Sequence, residues 1–229
     1  MKLKLKICLS LCIISILLIL TLTITNNGIT IYNPNVNMTA TVVNEIIPYT
    51  TTYVYDSSKP SDSDKEIISE GINGLNYTYD GIDYVHLSDM VPQVEKVGTG
   101  KSGQYTGKLT GYGPDCPGCS KVGNVSCKTR EGTKHSLVND GITYNDSTYG
   151  DVRILAADNT LFPCGTIIKI DNGIIDSFYG VVLDTGYSMR NAWKQGNVWI
   201  DLAFSSQNDV KSGKTSSSNA KFSVQRWGW

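Results

Sequence analysis

The sequence predicts an all-β fold for most of the chain. Between residues 108 and 229, short apolar segments alternate with Gly, Asn, Asp and Pro, as strands alternate with turns. Only residues 205–211 suggest a helical period. Six strands in about 120 residues are typical of a small barrel. The predicted strands span residues 107–112, 152–157, 166–170, 180–183, 198–204 and 221–227.

The first 25 residues predict a membrane anchor. Three lysines, at positions 2, 4 and 6, precede an uncharged apolar run from Ile7 to Thr25. As a helix this run measures about 28 Å, enough to cross the apolar core of a bilayer. No small-residue cleavage site is visible near residues 23–28. We therefore expect an uncleaved single-pass segment with the rest of the chain outside the membrane. A secretory signal that is cleaved is the alternative.

Charge gives no sign of a nucleic-acid partner. The formal net charge is −1, and it becomes −4 when the three N-terminal lysines are left out. Nucleic-acid-binding domains usually carry a basic patch, and none is visible in the sequence. We therefore expect no nucleic-acid partner.

Four cysteines lie outside the apolar run. An even number in an exported domain predicts two disulfides, but three connectivities are open. The Cys-x-x-Cys spacing also allows a zinc site, although a second close pair is missing. Free thiols are the remaining alternative. The four candidates are Cys116, Cys119, Cys127 and Cys164.

The exported part divides into four segments. Residues 26–48 are rich in Asn and Thr and predict a stalk. Residues 49–99 contain Thr- and Tyr-rich strands joined by turns, and they predict a small extended β-domain. Residues 100–107 predict a linker, and residues 108–229 predict the barrel domain.

The small domain resembles the five-glycine β-domains of bacterial surface proteins. The resemblance rests on residues 69–74 (Ser-Glu-Gly-Ile-Asn-Gly), on the Tyr-rich strand after them and on the exit segment 94–100. It implies an extended β-unit that precedes a catalytic domain and helps adhesion to the cell surface.

The strand at 198–204 carries an acid away from its apolar face. Because side chains alternate between the faces of a strand, its even-numbered residues share one apolar face, which we expect in the core. Trp199, Asp201 and Ala203 share the other face. Asp is disfavoured in strands, so Asp201 needs a reason. The reason is either a solvated face or a sugar-binding cleft in which a ring stacks on Trp199 beside an acid.

Two further aspartates end predicted strands. Asp184 follows an apolar run and precedes Thr-Gly, and Asp158 ends the segment Arg-Ile-Leu-Ala-Ala-Asp. Carboxylates that lie close together repel, which raises the pKa of at least one of them. A carboxyl group that stays protonated near neutral pH can act as a general acid. The three aspartates therefore predict a carbohydrate-active site.

The ordered motifs around these aspartates resemble the three-aspartate (3D) domain of Gram-positive bacteria. The resemblance implies a six-stranded double-psi β-barrel, similar to the barrels of membrane-bound lytic transglycosylase A and the stationary-phase muralytic proteins. It covers most of residues 108–229. The matching motifs are residues 110–119, 145–150, 155–158, 162–166, 183–186 and 200–204.

This resemblance implies cleavage of the MurNAc–GlcNAc bond in the glycan strands of peptidoglycan, with closure of a 1,6-anhydro ring. Asp201 matches the acid/base, Asp184 the partner that tunes it, and Asp158 a supporting residue. Thr185 and Gly186 match the turn that shapes the cleft. No metal or other cofactor is implied.

One segment departs from the family pattern. Residues 187–197 form a longer path between Asp184 and Asp201 than the family shows, and we expect a long loop that changes how substrate fits. Tyr112, Trp199 and Lys194 are further candidates for substrate binding.

Two other functions are compatible with the sequence. A barrel of this kind could bind the cell wall without cutting it, and the altered 187–197 path favours that alternative. It could also be a glycoside hydrolase of the same polymer, in which two carboxylates activate water.

Overall fold

The structure is a computed structural model that describes residues 21–25, 28–33, 38–79, 83–117, 119 and 121–229. The predicted anchor falls mainly on residues 1–20, which lie outside this set. Within the described part of the chain, no helix has both the length and the apolarity to cross a membrane. Strands dominate the fold, so the all-β prediction is confirmed in the coarser form of a mostly-β protein that also contains short helices.

The chain forms two compact units. The first falls within residues 1–52 and 69–93, and the second comprises residues 53–68 and 94–229. Five strands of the first unit are β1 (Thr21–Thr25), β2 (Gly28–Asn33), β3 (Met38–Ile47), β6 (Gly74–Tyr79) and β7 (Asp83–Ser88). They form one antiparallel sheet in the order β1-β2-β3-β6-β7. Strands β2 and β3 lie in the segment that we expected to be a stalk, where runs of Thr, Ile and Val suit a sheet.

A small sheet belongs largely to the second unit. Its strands are β4 (Thr51–Pro60), β5 (Glu66–Ser69) and β8 (Gln93–Gly100), in the order β4-β8-β5. Asp62, in the turn after β4, accepts a hydrogen bond of 2.8 Å from the Gly103 backbone N–H. The Trp227 backbone N–H donates to the Ser58 carbonyl over 2.7 Å. Hydrogen bonds therefore connect this sheet with residues 100–107, the predicted linker, and with the end of the chain.

Six strands close into a barrel. They run in the order β13-β15-β14-β17-β9-β16, and pairing of β13 with β16 closes the ring. The β13–β15 and β9–β16 pairs are parallel, and the other pairs are antiparallel. Each of the six predicted strands overlaps one barrel strand. The barrel strands are β9 (Gln104–Tyr112), β13 (Gly150–Ala156), β14 (Ile167–Asp171), β15 (Phe178–Asp184), β16 (Val198–Ala203) and β17 (Ser217–Arg226).

Shorter elements cover parts of the barrel. Strands β10 (Asn124–Lys128) and β11 (Lys134–Ser136) pair with each other, and β12 (Thr143–Asp146) pairs with the outer edge of β13. Helix α2 (Gln207–Gly213) overlaps the predicted helical stretch, and Ser206 caps its N-terminus by accepting from the Asp209 N–H.

A second helix corrects the expectation of a long loop. Helix α1 (Tyr187–Lys194) occupies most of the path from Asp184 to Asp201. The sequence signal was weak, because Gly186 offers no side-chain cap, the first turn holds no acidic residue, and only Met189 is buried. The Met189 side chain reaches back toward Gly186, at the position just before the helix.

Buried side chains pack on both sides of the barrel wall. One cluster draws on all six barrel strands, for example Leu155, Ile168 and Phe222. A second cluster lies under β10 and β11 and includes Val125 and Cys127. The even-numbered apolar residues of 198–204 all belong to the first cluster, as the alternation predicts. Ala203, on the opposite face, is buried in the second cluster, so that face is covered at one end.

The four cysteines outside the apolar run pair within disulfide distance. Cys116 bonds to Cys119, and Cys127 bonds to Cys164. The second bond joins β10 to the turn before β14, with Cα atoms 5.9 Å apart. It therefore links the β10–β11 pair covalently to the barrel. Together, the two bonds select one of the three connectivities that the sequence allows.

We expect the two disulfides to differ in their effect on stability. In the chain-entropy description, removing Cys127–Cys164, which closes a separation of 37 residues, costs about 4 kcal/mol. Removing Cys116–Cys119, with a separation of 3, costs about 2 kcal/mol. Denaturant unfolding of the Cys127→Ala/Cys164→Ala and Cys116→Ala/Cys119→Ala variants would test this. Trp fluorescence reports on the second unit alone, because all four tryptophans lie between positions 193 and 229. Equal losses would contradict the assignment.

Candidate active site

Closure of the barrel places two of the three predicted aspartates on either side of one residue. Ala156, at the end of β13, pairs with Asp184 of β15 and with Asp201 of β16. Because neighbouring strands lie about 4.8 Å apart, the Cα atoms of Asp184 and Asp201 are roughly 10 Å apart. The small Ala156 side chain between them leaves room for both carboxylates.

Asp201 sits in a polar cluster on the face of β16 opposite the barrel core. Its Oδ1 atom accepts a hydrogen bond from the Thr110 hydroxyl and another, of 3.2 Å, from the Trp199 indole N–H. The same indole N–H lies 2.6 Å from the Thr110 oxygen. Thr110 is the register partner of Asp201 on β9, so the parallel β9–β16 pair creates this cluster directly.

Lys108 completes this cluster. It precedes Thr110 by two positions on β9 and therefore shares its face. Its Nζ atom lies 3.7 Å from the centre of the Trp199 ring, a cation–π contact. Sequence reasoning selected Tyr112 on this strand but missed Lys108 and Thr110, although alternation along β9 places all three on one face.

Burial changes the acidity of Asp201. Removal from water raises its pKa from 3.8 to about 6, and the charge of Asp184 adds to this rise. The Trp199 hydrogen bond and the positive charge of Lys108 act in the opposite direction. Asp201 is therefore an acid that exchanges its proton close to neutral pH.

Asp184 is held by three donors. The Tyr112 hydroxyl donates to its Oδ2 atom over 3.0 Å. The backbone N–H groups of Ser126 and Thr185 donate to Oδ1 over 3.1 and 2.9 Å. Burial and the neighbouring Asp184 raise the pKa of Tyr112 well above 10, so its hydroxyl stays protonated as a donor. The charge of Asp201 acts on Tyr112 in the same direction, so Tyr112 lies within the field of both acids.

Asp158 has a different environment. It is buried, and its Oδ1 accepts from the backbone N–H and the hydroxyl of Thr160 at 2.7 and 2.5 Å. Its carbonyl accepts from the N–H groups of Leu161 and Phe162. Asp158 therefore stabilises the turn that follows β13, and none of these hydrogen bonds joins it to Asp184 or Asp201.

The remaining predicted residues lie at different distances from this pair. Thr185 contacts Asp184 through its backbone, and its hydroxyl accepts from Arg190 over 3.3 Å. Gly186 begins α1, as described above. Lys194 lies on the last turn of α1 and is exposed. It is not among the residues that line the cavity beside α1.

Two cavities adjoin the acid pair. One, of about 630 Å³, is bounded by α1 and by the first residues of β9 and β16, including Lys108 and Trp199. The other, of about 180 Å³, is lined by Tyr112 and Asp184 together with Cys119. Asp201 lies between them along β9 and β16, because Trp199 bonds to it on one side and Tyr112 lies two residues beyond Thr110 on the other.

This arrangement can supply acid–base chemistry. Asp201 can donate a proton near neutral pH, and Asp184 places a second carboxyl group opposite it. Within the described part of the chain, no group of three or more His, Cys, Asp or Glu side chains is arranged to hold a metal ion.

The raised pKa of Asp201 predicts a pH-dependent stability. The folded protein holds this proton more tightly than the unfolded chain, so the stabilisation is complete at low pH and is lost as pH rises through about 6. Between pH 4 and pH 7 the free energy of unfolding should fall by about 2 kcal/mol for this reason.

The Asp201→Asn variant should lack this component, because Asn does not titrate. Denaturant unfolding at both pH values would measure it as a difference between the variant and the wild type. Asp176→Asn, a change at an exposed aspartate of the same unit, should keep the wild-type dependence. Equal pH dependence of the wild type and Asp201→Asn would contradict the burial of this acid.

Comparisons of this chain with protein-family models, with curated proteins and with solved structures returned no match.

Proposed function

We propose that residues 108–229 form a double-psi β-barrel of the three-aspartate type that acts as a lytic transglycosylase on peptidoglycan. The observation that carries the proposal is Asp201, an acid with a pKa of about 6 that shares the register partner Ala156 with a second carboxylate. The closed six-stranded barrel, with its two parallel pairs, is compatible with the double-psi topology.

In the proposed reaction Asp201 acts first as an acid. It protonates the oxygen between MurNAc C1 and GlcNAc, the C1–O bond breaks, and GlcNAc leaves as an alcohol. The Asp201 carboxylate then accepts the proton of the MurNAc 6-hydroxyl as O6 bonds to C1. The proton given in the first step is returned in the second, so no water is consumed. Asp184 would stabilise the positive charge that develops on the sugar ring.

We assign supporting parts to three other residues. Tyr112 fixes the orientation of Asp184 through its 3.0 Å hydrogen bond, and Trp199 does the same for Asp201. Asp158 would act at a distance, by stabilising the turn after β13, the strand that lies between the two acids.

The proposed setting is the outer face of a cell membrane. The apolar run from Ile7 to Thr25 would anchor the chain, and the glycan strands of the cell wall would be the partner of the barrel. Cysteines paired within disulfide distance support an oxidising compartment. Residues 49–99 would assist adhesion to the wall, as the five-glycine resemblance implies.

Binding without cleavage is the second candidate. The cavity of about 630 Å³ lies beside Asp201 and not over it, since neither Asp201 nor Asp184 lines it. A cavity of that size suits a wall-binding module on the same barrel. A hydrolase is the third outcome that the same experiment distinguishes.

We expect Asp201→Asn to abolish anhydro-muropeptide formation. Full-length protein would be incubated with purified peptidoglycan, and the products identified by mass spectrometry. Loss of the acid should lower the rate by at least about 100-fold, whereas Asp176→Asn should leave it unchanged. Products with reducing ends would indicate a hydrolase. Binding to insoluble peptidoglycan with no released fragments would indicate a binding module.

We also expect the pH profile to report the Asp201 proton. Because the acid must be protonated in the free enzyme, kcat/KM should fall above pH 6, about tenfold per pH unit. Lys108→Met removes a positive charge that lowers this pKa, so the falling limb should move to higher pH. Lys194→Met removes an exposed lysine that does not line the cavity, and it should leave the limb in place. A limb that does not move in Lys108→Met would argue against Asp201 as the acid.

A further inference from the structure

We term the cavity beside α1 the α1 groove. It has a volume of about 630 Å³, and one face of α1 forms a wall, with residues at positions 187, 188, 191 and 192 and Gln195 just after the helix. The opposite wall comes from the first residues of β9 and β16 and from β17. This volume falls within the range typical of small-molecule sites.

Uncharged polar groups dominate the α1 groove. Four carboxamide residues line it, and all four are exposed. Within the described part of the chain, none of their side chains makes a hydrogen bond. Each carboxamide has a donor and an acceptor, so the groove presents four such pairs to a ligand. The four residues are Asn191, Gln195, Asn197 and Asn219.

One charged residue lies among the described residues that line the α1 groove. This is Lys108, whose Nζ atom rests on the Trp199 ring at 3.7 Å. The described lining includes no Asp or Glu. A cationic ligand would therefore meet repulsion from Lys108 and find no carboxylate to compensate for it.

The α1 groove also adjoins the proposed acid. Trp199 lines the cavity, and its indole N–H donates to Asp201 over 3.2 Å. A ligand seated in the groove would therefore lie against Trp199, the residue that bonds to Asp201.

We infer that the α1 groove binds uncharged N-acetylhexosamine units of the glycan strand. This inference rests on the proposed function, since it assigns part of the same substrate. Hydroxyl and acetamido groups both donate and accept hydrogen bonds, as the carboxamides of the groove do. The carboxamides of α1 and of the turn after it select the acetylated sugar, because an unacetylated amine loses the acetamido hydrogen bonds and meets the charge of Lys108.

The test measures binding in the absence of cleavage. Full-length Asp201→Asn protein would be titrated calorimetrically with the tetrasaccharide of N-acetylglucosamine and with its deacetylated form. We expect the acetylated sugar to bind about tenfold more tightly than the deacetylated one. Similar affinities for both, or no binding of the acetylated sugar, would overturn the inference.

A pair of variants localises the binding. Adding Asn191→Ala and Gln195→Ala should weaken binding of the acetylated sugar about tenfold, because two hydrogen-bonding side chains, one on α1 and one just after it, are lost. Asn139→Ala removes an exposed carboxamide outside the α1 groove and should have no effect. Unchanged affinity in the α1 variant would overturn the assignment to this groove.

Failure of this inference and failure of the proposed function give different results. If the sugar binds in the α1 groove but wild-type protein releases no fragments, the assignment of the groove is supported and the transglycosylase proposal is contradicted. If the wild type forms anhydro-muropeptides and Asn191→Ala/Gln195→Ala protein keeps the same KM, the proposed function is supported and the assignment of the groove is contradicted.

Discussion

The pairing of β13 with β16 is the constraint on which the site depends. It closes the ring of six strands, and it is made at Leu155 and Ala156. The same two residues also pair with β15 on the other side of β13. The strand register at the end of β13 therefore sets the positions of Asp184 and Asp201 together. Separating these strands would remove the barrel core and the acid pair in one step, because both depend on the same hydrogen bonds.

The acid at position 201 opposes the stability that this closure provides. A carboxyl group removed from water favours its neutral form, and the free-energy cost is greatest at high pH. Thr110 and Trp199 reduce that cost by donating to one carboxylate oxygen, and Lys108 adds a positive charge nearby. The apolar cluster inside the barrel, which draws on all six strands, offsets this cost. Under the proposed function, this local cost is what keeps a proton available for catalysis.

Helix α1 changes how the site is approached. A flexible loop between Asp184 and Asp201 would offer no fixed wall, whereas a helix anchored by Met189 presents one constant face. That face and the first residues of β9 and β16 define the α1 groove. Helix α1 is therefore an added surface next to the acid pair, and both acids stay in register with Ala156. Under the proposed function, α1 would alter substrate contact more directly than acid–base chemistry.

Local sequence patterns predicted the strands of the barrel. Short apolar runs bounded by turn residues located all six barrel strands, and side-chain alternation along residues 198–204 placed Asp201 away from the core. Both signals are local, because they depend on neighbouring residues. Helix α1 was missed because its start has no cap and it buries one side chain, so local signals were too weak. Only the tertiary structure paired the cysteines, brought Asp184 opposite Asp201 and placed Asp158 in a separate turn. The Asp184–Asp201 and Cys127–Cys164 relations join residues far apart in sequence, and the strand register of the closed barrel brings the two acids together.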